Sequence, residues 1–129
     1  MKKLEVIIEP TEEGLWASIP ALPGCISFGK DFKKLKENLN EAINLHLEGM
    51  EEDGEFVPEF KDYLFKMDIS FFFKKYPISI SGIAKQSGLN RSLISQYANG
   101  FKTPSLNQAK KIQETIRQIG QEMSYVSFL

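Results

Sequence analysis

The sequence predicts an α+β protein in two parts: a β-β-β-α-β half over residues 1–68, then an all-α half over residues 69–129 that closes with a short strand. Three observations lead there. Apolar residues alternate with polar ones along Leu4–Ile8 and Leu15–Ile19, the period of half-buried strands, and then recur at three- and four-residue steps from Phe32 to Met50, the period of a helix. The stretch ISGIAKQSGLNRSLISQYAN from Ile80 to Asn99 reads as helix, turn, helix. The net charge of -1 conceals a division: residues 1–66 carry eight lysines against fourteen carboxylates, a balance of -6, whereas residues 67–129 stand at +5.

In the first half, Leu4, Val6 and Ile8 alternate with Glu5 and Glu9, Pro10–Gly14 is a polar turn, and Leu15, Ala17 and Ile19 continue at the same period, so a hairpin is expected. Trp16 falls on the opposite face of that hairpin. Core packing under the following loop is the expected role for a lone tryptophan, contact with a partner the alternative. The rigid loop Pro20–Gly24 precedes a third strand at Ile26–Phe28, and Cys25 reads as a small buried hydrophobe. Asp31 is a good N-cap for a helix that runs to about Glu52 and stops at Gly54, with Leu35, Leu39 and Ile43 on its inner stripe and His46 on or beside it as a packed or rim residue. Lys33, Lys34 and Lys36 in the first turn oppose the helix dipole and have no evident role beyond solubility. An acidic patch, Glu48 to Glu55, leads to a last strand at Tyr63–Asp68.

The second half begins with a short helix at Ser70–Lys75, ended by Tyr76-Pro77. Ile83 and Ala84 then lie on one side of a helix, Gly88 makes the turn, and Asn90 caps a second helix whose inner side carries Leu89, Ile94 and Tyr97. The outer face of that second helix presents Arg91, Ser92, Ser95, Gln96 and Asn99, side chains able to bond base edges or phosphates. Asn90, Lys85, Lys102 and Thr103 flank this face as further DNA-contact candidates. A polar face on an αα-hairpin need bind nothing. Here the charge argues otherwise, because from Ile69 to Gln113 there is no carboxylate while seven lysines and arginines occur. Ser105 with Gln108 reads as a capping box opening a helix with Ile112, Ile116, Ile119 and Met123 on one side. Ser124–Leu129 reads as a strand too apolar to leave in water, so a homodimer or higher oligomer joined through this end is expected, which would set two DNA-reading helices about a two-fold axis.

Several function classes are excluded. No apolar run reaches the ~20 residues of a membrane helix, MKKLEVIIEP has no signal-peptide core, and one cysteine permits no internal disulfide, so a cytoplasmic protein without membrane contact is expected. No nucleophile–base pair, phosphate-cradling loop or zinc spacing occurs, and neither cofactor nor metal is expected.

The hairpin words IEPTEEGLWASIPALPGC at residues 8–25, above all EEG-x-W and P-x-LPGC, together with the helix NLNEAINLHLEGMEEDGE at 38–55, resemble the N-terminal domain of HicB-type antitoxins. Ala84, Gly88 and Ile94, followed by NGFKTPS at 99–105, resemble the helix-turn-helix of phage-repressor-like proteins; Ser87 departs from that pattern, where an apolar residue is usual. The resemblance implies a degenerate ribonuclease-H-like fold that binds and inhibits a small basic HicA-type toxin, an mRNA interferase, while the C-terminal domain represses the operon by binding operator DNA. Under that resemblance, Trp16, Leu22 and Pro23 are candidates for the toxin-facing surface. Ribonuclease-H chemistry needs carboxylates from several strands converging on two metal ions. Only Glu5 and Glu9 share a strand side and the second and third strands carry no acid, so the domain reads as non-catalytic. The alternatives are a stand-alone transcription regulator whose N-terminal domain senses a ligand and, third, a nuclease.

Overall fold

The structure, a computed structural model, describes residues 2–129 and divides into two compact units, with the boundary between Asp68 and Ile69. In the N-terminal unit, strands β1 (Lys2–Pro10), β2 (Leu15–Ser18), β3 (Ile26–Gly29) and β4 (Phe60–Met67) form one sheet in the order β3-β2-β1-β4. Pairing is antiparallel for β1 with β2 and for β2 with β3, and parallel for β1 with β4. A parallel neighbour requires a long crossover, which helix α1 (Phe32–Glu52) provides. The fourth strand starts three residues before the expected Tyr63, at Phe60, and its Tyr63 and Phe65 rings meet edge to face at 5.8 Å.

Strand alternation builds the core. Leu4, Val6, Ile8, Leu15, Ala17 and Ile19 point to one face and are buried against Leu35, Leu39 and Ile43 of α1. The helix begins where Asp31 Oδ1 accepts the Lys34 N–H at 2.8 Å and ends before Gly54, whose φ of +72° is the left-handed conformation that terminates helices. Its basic first turn has a role that the sequence left blank. The Lys36 ammonium lies 5.4 Å from the Phe32 ring centroid and 5.7 Å from that of Phe65, so the cation is held over two aromatic rings. Lys34 pairs with Glu37 at 3.5 Å in an exposed geometry that contributes little.

The motif words have structural causes. A Cβ on Gly14 would lie 2.5 Å from the Gly29 carbonyl oxygen, so the chain passes too close there for any side chain. In the LPGC loop, the Leu22 N–H donates to the Ile19 carbonyl and the Cys25 N–H to the Leu22 carbonyl, both at 3.0 Å, which turns both side chains into the core. Burial also pushes the Cys25 thiol pKa up.

The C-terminal unit comprises α2 (Ile69–Lys75), α3 (Ile80–Ser87), α4 (Arg91–Ala98) and α5 (Leu106–Tyr125). Ile83, Ala84, Ile94, Tyr97 and Ile112 form its buried centre, with Phe73, Leu89, Leu93 and Ile116 packed around it. Gly88 takes φ +75° at the end of α3, and the Asn90 side chain accepts the Leu93 N–H at the start of α4. Only half of the expected capping box forms: Ser105 Oγ accepts the Gln108 N–H at 3.3 Å, but the Gln108 carboxamide oxygen accepts from the Tyr97 hydroxyl instead of turning back to the cap.

The expected C-terminal strand is absent from the structure. Helix α5 continues through Tyr125, the Val126 N–H donates to the Met123 carbonyl, and residues 126–129 take no regular structure. The physical reason is that a strand needs a partner for its backbone groups, whereas a helix satisfies them within itself.

Candidate functional site

Two surfaces emerge, one on each unit. On the C-terminal unit, α3 and α4 are eight-residue helices joined through Gly88, Leu89 and Asn90. Arg91, Ser92 and Asn99 are exposed along α4, Ser95 and Gln96 are half-buried beside them, and Lys85, Asn90, Lys102 and Thr103 are exposed nearby in sequence. Asn90 is already engaged as the helix cap, which leaves its amide nitrogen for an outside partner. The Lys102 N–H and the Phe101 N–H both reach the Gln96 carbonyl, which folds the following loop back on the end of α4.

Two details were not visible in the sequence. Arg91 donates from Nε to Ser81 Oγ at 2.7 Å, so the guanidinium is oriented by the first turn of α3 while its terminal amino groups remain available. No spacing rule pairs residues ten apart across a turn, so only the folded geometry identifies Ser81. Gln96 turns its side-chain oxygen inward, where it is buried without a hydrogen-bond partner among the described residues. To reach a base edge this side chain must rotate outward.

On the N-terminal unit, α1 covers one face of the sheet and the strand register defines the other. Glu9, Trp16 and Phe28 stand side by side across β1, β2 and β3, and Ile7, Ser18 and Ile26 form the next row. Trp16 is therefore not a core residue: it is 45% exposed, with its ring 4.9 Å from that of Phe28, because residues alternating with buried Leu15 and Ala17 must face away from the helix. Ile26 is 61% exposed. The two rows enclose an open depression of about 250 Å³ lined by Ile7, Glu9, Trp16, Ala17, Ser18 and Ile26. Of the other residues proposed to face a partner, Pro23 is exposed, but Leu22 is fully buried in the core and has no surface to offer. Glu5, on the same strand side as Glu9, is paired with Lys66 at 2.8 Å. Among the described residues, no cluster of His, Cys, Asp or Glu is placed to hold a metal ion, and no helix is long and apolar enough to cross a membrane.

Residues 4–68, nearly all of the N-terminal unit, match the family model described as "HicB_like antitoxin of bacterial toxin-antitoxin system". Among curated proteins, a UPF0150 protein of Archaeoglobus fulgidus is 41% identical over 58 residues, 43% of this chain and 84% of that protein. A UPF0150 protein of Helicobacter pylori is 40% identical over 50 residues, 39% of this chain and 69% of its own length. An uncharacterized 14.9 kDa protein of Haemophilus phage HP1 is 41% identical over 54 residues, 42% of this chain and 41% of its own length, so the match spans well under half of the phage protein.

Proposed function

The chain belongs to the HicB-like antitoxin family of bacterial toxin–antitoxin systems, and from that premise we propose that it neutralises a HicA-type mRNA interferase with its N-terminal unit and represses its own operon with its C-terminal unit. The match over residues 4–68 is the observation that carries the antitoxin half of this reading. The toxin-facing surface is assigned to the sheet face opposite α1, with Trp16, and to the exposed Pro23.

The repressor half rests on residues 69–129, read as a helix-turn-helix domain. Its acid-free run from Ile69 to Gln113 supplies attraction to phosphate, and the exposed row on α4 supplies base-reading groups. Arg91 is assigned to a base edge together with Ser92, Ser95, Gln96 and Asn99, and Lys85, Lys102 and Thr103 to phosphates. Dimerisation is assigned to the far end of α5, where Met123, Tyr125, Val126 and Phe128 are all exposed apolar side chains. A dimer reads two half-sites a helical turn apart. The N-terminal unit is taken as a non-catalytic relative of the ribonuclease-H fold, and the protein as cytoplasmic.

The experiment is co-expression. The reading requires a short reading frame for a small basic toxin beside this chain's own: the product of that adjacent short reading frame should arrest growth alone and be harmless with this chain, and a reporter on the chain's own promoter should be silenced by the wild type but not by Arg91→Ala. Continued growth arrest in the presence of the folded chain would refute the antitoxin assignment, and silencing by Arg91→Ala equal to wild type would refute the role of α4.

A further inference from the structure

We propose that the uncovered sheet face of the N-terminal unit is built to seat a basic protein surface that lays an arginine or lysine side chain across Trp16, with its cationic head at Glu9. The inference rests on the antitoxin reading and specifies the contact chemistry of that unit.

An antiparallel hairpin with one face on a helix ordinarily turns polar side chains to water. Here the outward side of β1, β2 and β3 carries Ile7, Trp16, Ile26 and Phe28 beside the polar Glu9 and Ser18, with Glu5 farther along β1. The exposed side chains of Trp16 and Ile26 beside an open depression offer a partner apolar area. The sheet edges point the same way. Edge strand β4 carries Lys61, Asp62 and Lys66, charges that discourage pairing, whereas β3, the edge beside Trp16 and Ile26, has the uncharged sequence ISFG.

The chemistry of the occupant follows from Glu9. On this face the Glu5 carboxylate is engaged by Lys66, but among the described residues Glu9 makes no ion pair, and the register sets it directly opposite an exposed indole. A carboxylate beside an aromatic ring suits a cation with an apolar stem: the methylenes cover the indole and the head meets the oxygen. Arginine suits it better than lysine because its planar head both stacks on an aromatic ring and bonds a carboxylate. Charge over a longer range agrees, since residues 1–66 sum to -6 and Glu12 and Glu13 are exposed in the turn between β1 and β2. The same charge disfavours the two competing occupants, a nucleic acid and a second copy of this acidic unit.

Trp16 is the chain's single tryptophan, so it can report on the site without a variant. The full chain carrying 5-fluorotryptophan is titrated with the unlabelled product of the adjacent short reading frame and followed by fluorine NMR. The single resonance should shift and lose its sensitivity to exchange of H₂O for D₂O. Glu9→Lys should weaken the complex by about tenfold or more and Glu9→Gln by less, as removal or reversal of a contacting charge does, with the unfolding midpoint unchanged. Trp16→Ala should weaken it more than Trp16→Phe. A complex that forms with the Trp16 resonance unmoved, or with Glu9→Lys binding at wild-type strength, would overturn this inference while leaving the antitoxin reading intact. Absence of any complex would overturn both.

Discussion

Replacing Gly29 by alanine tests the packing that brings the sheet face and α1 together. Gly29 ends β3, pairs with Leu15 and is buried. An added Cβ would lie 2.2 Å from Leu35 N, 2.5 Å from Leu35 Cα and 2.8 Å from the Lys34 carbonyl carbon. All three atoms are helix backbone, so no rotamer change relieves the contact. Restoring ordinary van der Waals separation moves β3 and α1 apart by roughly 1 Å, which loosens the contacts of Leu35 and its neighbours in the core. Overpacking of this kind costs about 1–3 kcal/mol, and a rigid backbone obstacle sets the value at the upper end, about 3 kcal/mol. A domain of this size has a total stability of about 3–10 kcal/mol, so the loss is a large share of it. The corresponding fall in melting temperature is about 12–24 °C. The assay is thermal and urea unfolding followed by Trp16 fluorescence, which reports the N-terminal unit alone because no other tryptophan exists. Gly24→Ala is the control: its Cβ meets nothing within 4 Å, and only the φ of +85° opposes it, at about 1–2 kcal/mol. A Gly29→Ala melting temperature within about 4 °C of wild type would refute the close-approach reasoning.

Four further outcomes are expected. Arg91→Ala should cost about 1–3 kcal/mol of operator affinity in a shift assay, Ser81→Ala about 0.5–1.5 kcal/mol, and the double variant no more than Arg91→Ala alone, because Ser81 acts through Arg91; additive losses would separate the two. Gln96→Met should leave the calorimetric stability of the C-terminal unit unchanged or raise it by up to about 1 kcal/mol, since it removes a buried acceptor without a partner, while operator binding falls. Leu22→Ala should destabilise the N-terminal unit by about 2–5 kcal/mol, whereas Pro23→Ala should leave it folded, and equal stabilities would contradict the placement of Leu22 in the core. Burial raises the Cys25 thiol pKa and, with smaller contributions from Asp62 and Cys25, the Tyr63 hydroxyl pKa. Folding therefore favours both protonated forms. Their contribution is complete below the unfolded-state pKa values and is lost as pH rises through the raised ones, so the urea midpoint should be flat through neutrality and fall only in alkaline solution.

The sequence was most legible where a local rule had no competitor. The period-two runs Leu4–Ile8 and Leu15–Ile19, the Asp31 and Asn90 caps and the Gly88 turn all appear in the structure because each is fixed by its own backbone chemistry. It was least legible where a competing partner decided. Tyr125–Phe128 is apolar enough for a strand, but with no strand beside it the helix extends to Tyr125. Gln108 follows the capping-box spacing, yet the Tyr97 hydroxyl claims its carboxamide. Leu22 sits in a motif word that pointed to a partner surface; the folded loop shows that Leu22 and Cys25 are there to fill the core and Gly14 to let the chain pass.

Trp16 shows how a global error can follow from correct local readings. Its alternation with Leu15 and Ala17 placed it on the outer face, and the same alternation set Glu5 and Glu9 opposite the inner Leu4, Val6 and Ile8 of β1. Only the register, Glu9 opposite Trp16 and Trp16 opposite Phe28, joins them into one surface. Ser81 and Arg91 meet in the same way, through a turn geometry that neither residue specifies.

The most direct test of an antitoxin that is also a repressor is a shift assay on the chain's own promoter DNA, with the purified chain alone and after co-purification with the product of the adjacent short reading frame. A stable two-protein complex that shifts the promoter fragment, and loses that shift with Arg91→Ala while remaining assembled, is the expected result. A chain that shifts the promoter but never retains the neighbouring product would contradict it and leave a stand-alone regulator, whose acidic N-terminal unit then needs a different ligand.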